Sequence, residues 1–127
     1  MITELARRLT DLADPTRGRI LMALQGQELS VAELQDALQL PQSTVSRHLG
    51  VLGRGDWVAS RAEGPSQRYR FTGQGMSSEN RRLWQVVRDE MAGNPEILSD
   101  RERVATVLAR RHERSRAFFA SEAGRWD

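Results

Sequence analysis

At 127 residues and 39% hydrophobic content, the chain can bury one core of ordinary domain size with an appended helix, and no run approaches the ~18 apolar residues of a membrane span. The absence of cysteine excludes disulfides, thiol redox sensing and thiolate metal sites, and the N-terminus lacks the basic-then-apolar layout of a secretory signal, so a soluble cytoplasmic protein is expected. The formal net charge is only +2 but is unevenly spread, at −2 over residues 1–40, +4 over 41–82 and 0 over 83–127, and all nineteen basic residues are arginine, whose planar fork suits phosphate and guanine edges.

Ile2, Leu5, Leu9 and Leu12 recur at helical spacing and predict a first helix. Asp14-Pro15 supplies an N-cap and a first-turn proline for a second helix, which holds Ile20, Leu21 and Leu24. Ser30 followed by Glu33 matches a capping box and opens a brief third helix with Val31, Leu34 and Leu38 as its buried stripe. After Gln39-Leu40-Pro41, a fourth begins at Gln42 or Ser43, either of which could cap it, and runs through Val45, Leu49 and Leu52. Two helices joined by so short a turn make a helix-turn-helix pattern. At about 100° per residue, Val45, Leu49 and Leu52 turn inward while Ser43, Ser46, Arg47, Gly50 and Arg54 face outward. A short, polar, basic face of this kind could enter a major groove, where arginine reads guanine and serines reach bases or phosphates. Taken alone, it reads better as an ordinary solvated helix face, and only the surrounding elements favour the groove.

Residues 57–61 and 67–71 read as strands of a hairpin turning at Glu63-Gly64-Pro65-Ser66. Tyr69 and Phe71 share one face and Arg68 and Arg70 the other, so one side can pack on the core and leave two guanidiniums to reach phosphates or a minor groove. A solvated hairpin is the alternative. Thr72-Gly73-Gln74-Gly75 is not a dinucleotide loop: Ser78 stands in place of the third glycine and no strand-helix-strand unit surrounds it. A helix from about Ser77 to Ala92 follows, with Met76, Asn80, Leu83, Val87 and Met91 on one stripe and Trp84 beside it, ended by Gly93-Asn94-Pro95. A further apolar helix after a complete small core calls for a partner, most simply a second copy, or else packs back on its own core. Ser99 with Glu102 gives another capping box, opening a last helix whose Val104, Val107 and Leu108 lead into a charged run over residues 110–116. Beyond it Phe118, Phe119, Ala123 and Trp126 form an apolar patch for a second subunit or a downstream domain to cover.

At Asp14-Pro15-Thr16-Arg17, over residues 28–34, over residues 41–49 and along the hairpin, the sequence closely resembles regulators of the ArsR (arsenic-repressor-like) type across roughly residues 3–92. The resemblance implies a mainly α fold with a small β-hairpin: a dimeric winged helix-turn-helix that binds a near-palindromic operator in double-stranded DNA and acts as a transcriptional repressor. Residues 1–92 would then be the DNA-binding and dimerisation domain, and 93–127 a helical extension or linker. Matching positions implicate Gln42, Ser43, Ser46 and Arg47 in base or backbone contacts. Thr44 and His48 on the same helix, Arg54 at its end, and Arg68 and Arg70 on the wing complete the candidate DNA-binding set. The homodimer would pair through Leu5, Leu9, Leu83, Trp84, Val87 and Met91. Metal-sensing members place a cysteine pair where this chain has Ser30 and Ala32, or Asp and His on the C-terminal dimer helix, and neither set is present. No metal site is therefore expected, and Gly50 stands where relatives often carry a basic residue. Residues 100–127 resemble the junction in proteins that fuse such a regulator to an S-adenosylmethionine-dependent methyltransferase. That resemblance suggests S-adenosylmethionine or S-adenosylhomocysteine as effector. No cofactor loop, nucleophile-base pair or metal cluster argues for catalysis by this chain. The alternatives to a repressor are a regulatory fragment of a methyltransferase fusion and a winged-helix protein-interaction module.

Overall fold

The computed structural model describes residues 2–125, with side chains to residue 121, so the side chain of Ala123 and the whole of Trp126 lie outside the described residues. Six α-helices and a three-stranded antiparallel sheet are arranged mainly as the sequence predicts, with one strand added. Helix α1 (Ile2–Leu12) leads into α2 (Pro15–Ala23) through Asp14, whose carboxylate accepts from the Thr16 N–H at 2.7 Å while Pro15 takes the first helical position. Helix α3 (Val31–Leu38) has its capping box in full: Ser30 Oγ accepts from the Glu33 N–H at 3.1 Å, and the Ser30 N–H donates to Glu33 Oε1 at 2.9 Å. Gln39, in the left-handed region at φ 57°, stops α3, and the turn through Pro41 opens α4 (Gln42–Arg54).

Two helix starts differ from the sequence reading. Pro41, extended at φ −62° and ψ 149°, holds the N-cap position of α4, and its carbonyl accepts from the Val45 N–H. Gln42 and Ser43 therefore fall in the first turn and cap nothing, which leaves both side chains exposed. Helix α6 (Pro95–Arg125) begins one turn before the Ser99–Glu102 pair, because Asn94 Oδ1 caps the Glu96 N–H at 2.8 Å and Pro95 is preorganised for the first turn. The signal that ends the preceding helix also starts this one.

Strand β1 (Leu29–Ser30) was not predicted. It pairs with β3 (Ser66–Phe71), which pairs with β2 (Val58–Glu63), giving the order β1-β3-β2 with Leu29 opposite Tyr69 and Glu63 opposite Ser66. A 3-10 turn (Gly73–Gly75) links the sheet to α5 (Ser78–Met91), capped by Ser77.

Ile20, Leu21, Leu24, Leu34, Leu38, Val45, Leu49, Leu52 and Trp57 are fully buried and hold α2, α3, α4 and the sheet around one core. Burial of each such aliphatic side chain stabilises the fold by about 1.5–3 kcal/mol. Helix α6 joins this core through Val104 and Val107, with Ile97 also buried, and it packs on α2 and α3. Arg19 fastens it there with a two-pronged ion pair to the buried Asp100, at 2.8 and 2.9 Å, and donates to the Leu38 carbonyl at 2.7 Å. Arg103 adds bonds to Asp100 and the Ala37 carbonyl. One turn beyond Leu108, Arg111 forks onto both oxygens of Glu33 at 2.7 and 2.8 Å and onto the Glu28 carbonyl. Both ends of α3 are thus tied to α6. Among the described residues, no helix is long and apolar enough to cross a membrane.

Candidate nucleic-acid interface

The packing of Val45, Leu49 and Leu52 into the core fixes the rotation of α4 about its axis. Gln42, Ser43, Ser46, Arg47 and Arg54 are exposed on its opposite side, and Gly50 between them is half-buried. Thr44 is half-buried at the flank. With both arginines held in no salt bridge among the described residues, this face offers two guanidinium forks, an amide and two hydroxyls on a convex surface narrow enough for a major groove.

His48 is placed elsewhere. It is 6% exposed, on the core side of α4, and its Nδ1 lies 3.2 Å from Arg17 Nη1. Because a guanidinium only donates, Nδ1 is the acceptor there and the neutral ring carries its proton on Nε2. Burial pushes the His48 pKa below its ordinary value, and the Arg17 and Arg47 charges push the same way against Asp14. Arg17 also donates to the Thr10 and Asp11 carbonyls at 2.8 and 2.6 Å, so it straps the end of α1 to α4. His48 is a structural residue of this strap, not a member of the outer face.

The wing also departs from expectation. Arg68 is folded onto its own chain, paired with Glu63 and 3.8 Å from Glu33. Arg61, which the sequence reading passed over, forks onto Glu28 at 2.7 and 3.0 Å and meets Glu63 at 3.1 Å. The hydrogen bonds to Arg61 hold the Glu28 carboxyl below the usual carboxylate range. Arg70 alone of the two predicted wing arginines is exposed and outside this network. Strand alternation correctly places Arg68 and Arg70 on one face, but it also places Glu63 there, two residues from Arg61, and that signal was legible.

On α1, Ile2, Leu5 and Leu9 are 83%, 42% and 49% exposed, and Val86 of α5 is 64% exposed. Leu83 and Val87 are half-buried against the chain's own core, and Met91 is half-buried. Trp84, expected at a subunit contact, is 3% exposed and packs on Phe71 with ring centroids 5.7 Å apart, so it belongs to the core. Met91 closes over Gly18, where an added Cβ would come within 2.7 Å of its sulfur.

A buried polar knot that sequence reasoning missed connects α1 and α5 to the exit of α4. Trp57 Nε1 donates to Asp11 Oδ2 at 3.0 Å, and Asn80 Nδ2 donates to the Gly55 carbonyl at 3.0 Å. Gly55 permits that approach: a Cβ there would lie 2.4 Å from Asp11 Oδ2. Phe118 and Phe119, in edge contact with each other, stay 60% and 70% exposed near the end of α6. Among the described residues, no group of three or more His, Asp or Glu side chains converges as a metal site would.

Known proteins share this fold. Residues 12–60 match the family model of a helix-turn-helix domain. The chain is similar to the HTH-type transcriptional regulator KmtR of Mycobacterium tuberculosis, 36% identical over 78 residues, which are 61% of this chain and 55% of that protein. It thus matches little more than half the length of this relative. The solved structure of reduced HlyU from Vibrio cholerae superposes with a TM-score of 0.59 at 31% identity, covering 69% of this chain and 88% of that one. The homodimeric winged helix-turn-helix DNA-binding domain of a possible ArsR-family regulator from Mycobacterium bovis superposes with a TM-score of 0.58 at 29% identity, covering 74% and 83%.

Proposed function

The chain belongs to the ArsR-type winged helix-turn-helix transcription regulators, and from that premise we propose that it is a homodimeric repressor whose two α4 helices read successive major-groove half-sites of one operator. The observation that carries this reading is the outer face of α4, where Gln42, Ser43, Ser46, Arg47 and Arg54 stand exposed together. Arg47, in mid-helix, is the residue we assign to a base edge, while Arg54 and the wing's Arg70 serve phosphates. The dimer forms through the apolar side of α1, with Leu5 and Leu9 at its centre and Leu83 and Val87 of α5 along its border. A second copy is the simplest cover for so apolar an exposed stripe.

Release from the operator is by a small molecule, not a metal. An effector that binds the DNA-incompetent dimer better lowers operator affinity by its differential binding energy, typically ~1–3 kcal/mol. The C-terminal resemblance suggests S-adenosylhomocysteine or S-adenosylmethionine as that molecule, and a methyltransferase domain as a further partner in a longer protein.

The test is binding of the purified chain to DNA from its own upstream region against scrambled competitor, with and without S-adenosylhomocysteine. Specific binding supports the repressor, and its weakening by the ligand supports that effector. Specific binding without a ligand effect discards the effector alone. Failure to bind DNA specifically, with dimerisation retained, would favour an interaction module.

A further inference from the structure

A hollow of about 370 Å³ lies at the seam between the wing's exit and α5. Phe71 and Trp84 line it together with Gln25, just past α2, Gln74 of the 3-10 turn, and Arg81 and Arg88 of α5. Its size falls in the range of about 300–1,000 Å³ usual for small-molecule sites. Two features give it a chemical preference. Arg81, Trp84 and Arg88 are spaced i, i+3 and i+7, which puts two guanidiniums on one helix face either side of an indole. Among the described residues neither cation is firmly engaged: Arg81 reaches only the Gly73 and Met76 carbonyls, at 3.4 and 3.5 Å, and Arg88 only its neighbour Asp89, at 3.4 Å.

We propose that this hollow binds a small planar aromatic anion, and that its occupancy adjusts operator affinity. The ligand's ring packs on Phe71 beside Trp84, and its acid group takes the Arg81 and Arg88 forks. The position suits an effector. One wall is the strand end and turn that hold the wing; the other is the helix carrying Leu83 and Val87. A ligand between them therefore bears on the angle between DNA-reading and subunit-pairing elements. This inference rests on the effector-controlled reading given above.

The experiment titrates salicylate and indole-3-carboxylate, each against its uncharged carboxamide, into the full chain, following tryptophan fluorescence and measuring operator affinity in parallel. The acids should bind saturably, roughly ten-fold more tightly than the amides, and lose roughly ten-fold in Arg81→Ala and Arg88→Ala, whose thermal melts serve as the control for folding. Operator affinity of the parent chain should change by about five-fold or more with the acids, and not in Arg88→Ala. No saturable response to either acid, equal binding of acid and amide, or binding that survives both substitutions would overturn the site. Saturable binding with unchanged operator affinity would overturn its regulatory role. Operator binding without ligand separates the two readings: its absence refutes the repressor and leaves the fluorescence titration to judge the hollow.

Discussion

Side chains of one type do opposite work here according to what their neighbours leave free. Arg47 projects from α4 without a carboxylate partner among the described residues, whereas Arg68 lies against Glu63 and Glu33. Arg47→Ala should therefore cost roughly 1–3 kcal/mol of operator binding and relax base preference, while Arg70→Ala weakens all sequences and lowers the salt slope by about 1. Arg68→Ala should leave that slope unchanged in the same titrations; a flattened slope would mean that the Glu63 pair opens on DNA. His48 gives a pH prediction. Its folded pKa lies below the ordinary 6.5, so the unfolded chain takes up a proton at a pH where the folded chain does not. Stability from this residue is full above pH 6.5 and is lost as pH falls from there towards the depressed folded value. The lowered carboxylates Asp14 and Glu33, with ordinary values of 3.8 and 4.5, lose their contribution only at more acid pH. Thermal melts between pH 7.5 and 5.0 should show a decline that flattens in His48→Gln, and an equally steep decline in the variant would place the titrating group elsewhere.

Caps decide where the helices of this chain begin, and they explain which elements were legible. Ser30 and Glu33 announce α3 because both halves of the capping box lie within four residues, and the structure completes both bonds. Ser99 and Glu102 carry the same spacing but fall inside α6, since Asn94-Pro95 had already started it. A capping motif is local, and nothing in it records whether a helix is under way. Strand β1 was invisible for a related reason: two residues cannot display alternation, and its hydrogen bonds go to a strand about forty positions later. The outer face of α4 was readable because one apolar stripe fixes a helix's rotation, and the Arg68–Glu63 pair because both lie on one face of a hairpin, but the ion pair that holds Arg111 joins α3 to a segment that only the fold brings near. Ser30→Ala should cost about 0.5–2 kcal/mol in denaturant unfolding and Asn94→Ala a comparable amount, with Ser99→Ala near zero. A loss at Ser99 equal to that at Asn94 would move the start of α6 back to the sequence's first suggestion.

For the whole molecule, the question is how two α4 helices acquire a fixed separation. Binding successive half-sites requires about 34–36 Å, one turn of B-DNA, between their centres. Within one subunit the spacing begins at the knot of Asp11, Trp57, Gly55 and Asn80, which joins α1 and α5 to the end of α4 with buried hydrogen bonds. Any pairing of subunits through α1 is thereby transmitted to the reading helix. In the proposed dimer its disposition would therefore be set by the subunit contact, not by the flexible reach of a linker. Leu5→Glu combined with Leu9→Glu places charge on the exposed apolar stripe of α1 without touching the core, where Leu12 is the buried member of the series. The variant should sediment as a monomer and keep the parent's thermal stability extrapolated to monomer. It should bind a single half-site as the parent does, and lose on the full operator the advantage that the second half-site confers. Phe118 and Phe119 provide the contrast, because they lie near the wing and α3, apart from this stripe. If the double glutamate variant still sediments as a dimer while Phe118→Ser with Phe119→Ser does not, subunits pair through α6. The two reading helices would then be spaced by a contact on the far side of α3, and a different operator period would follow.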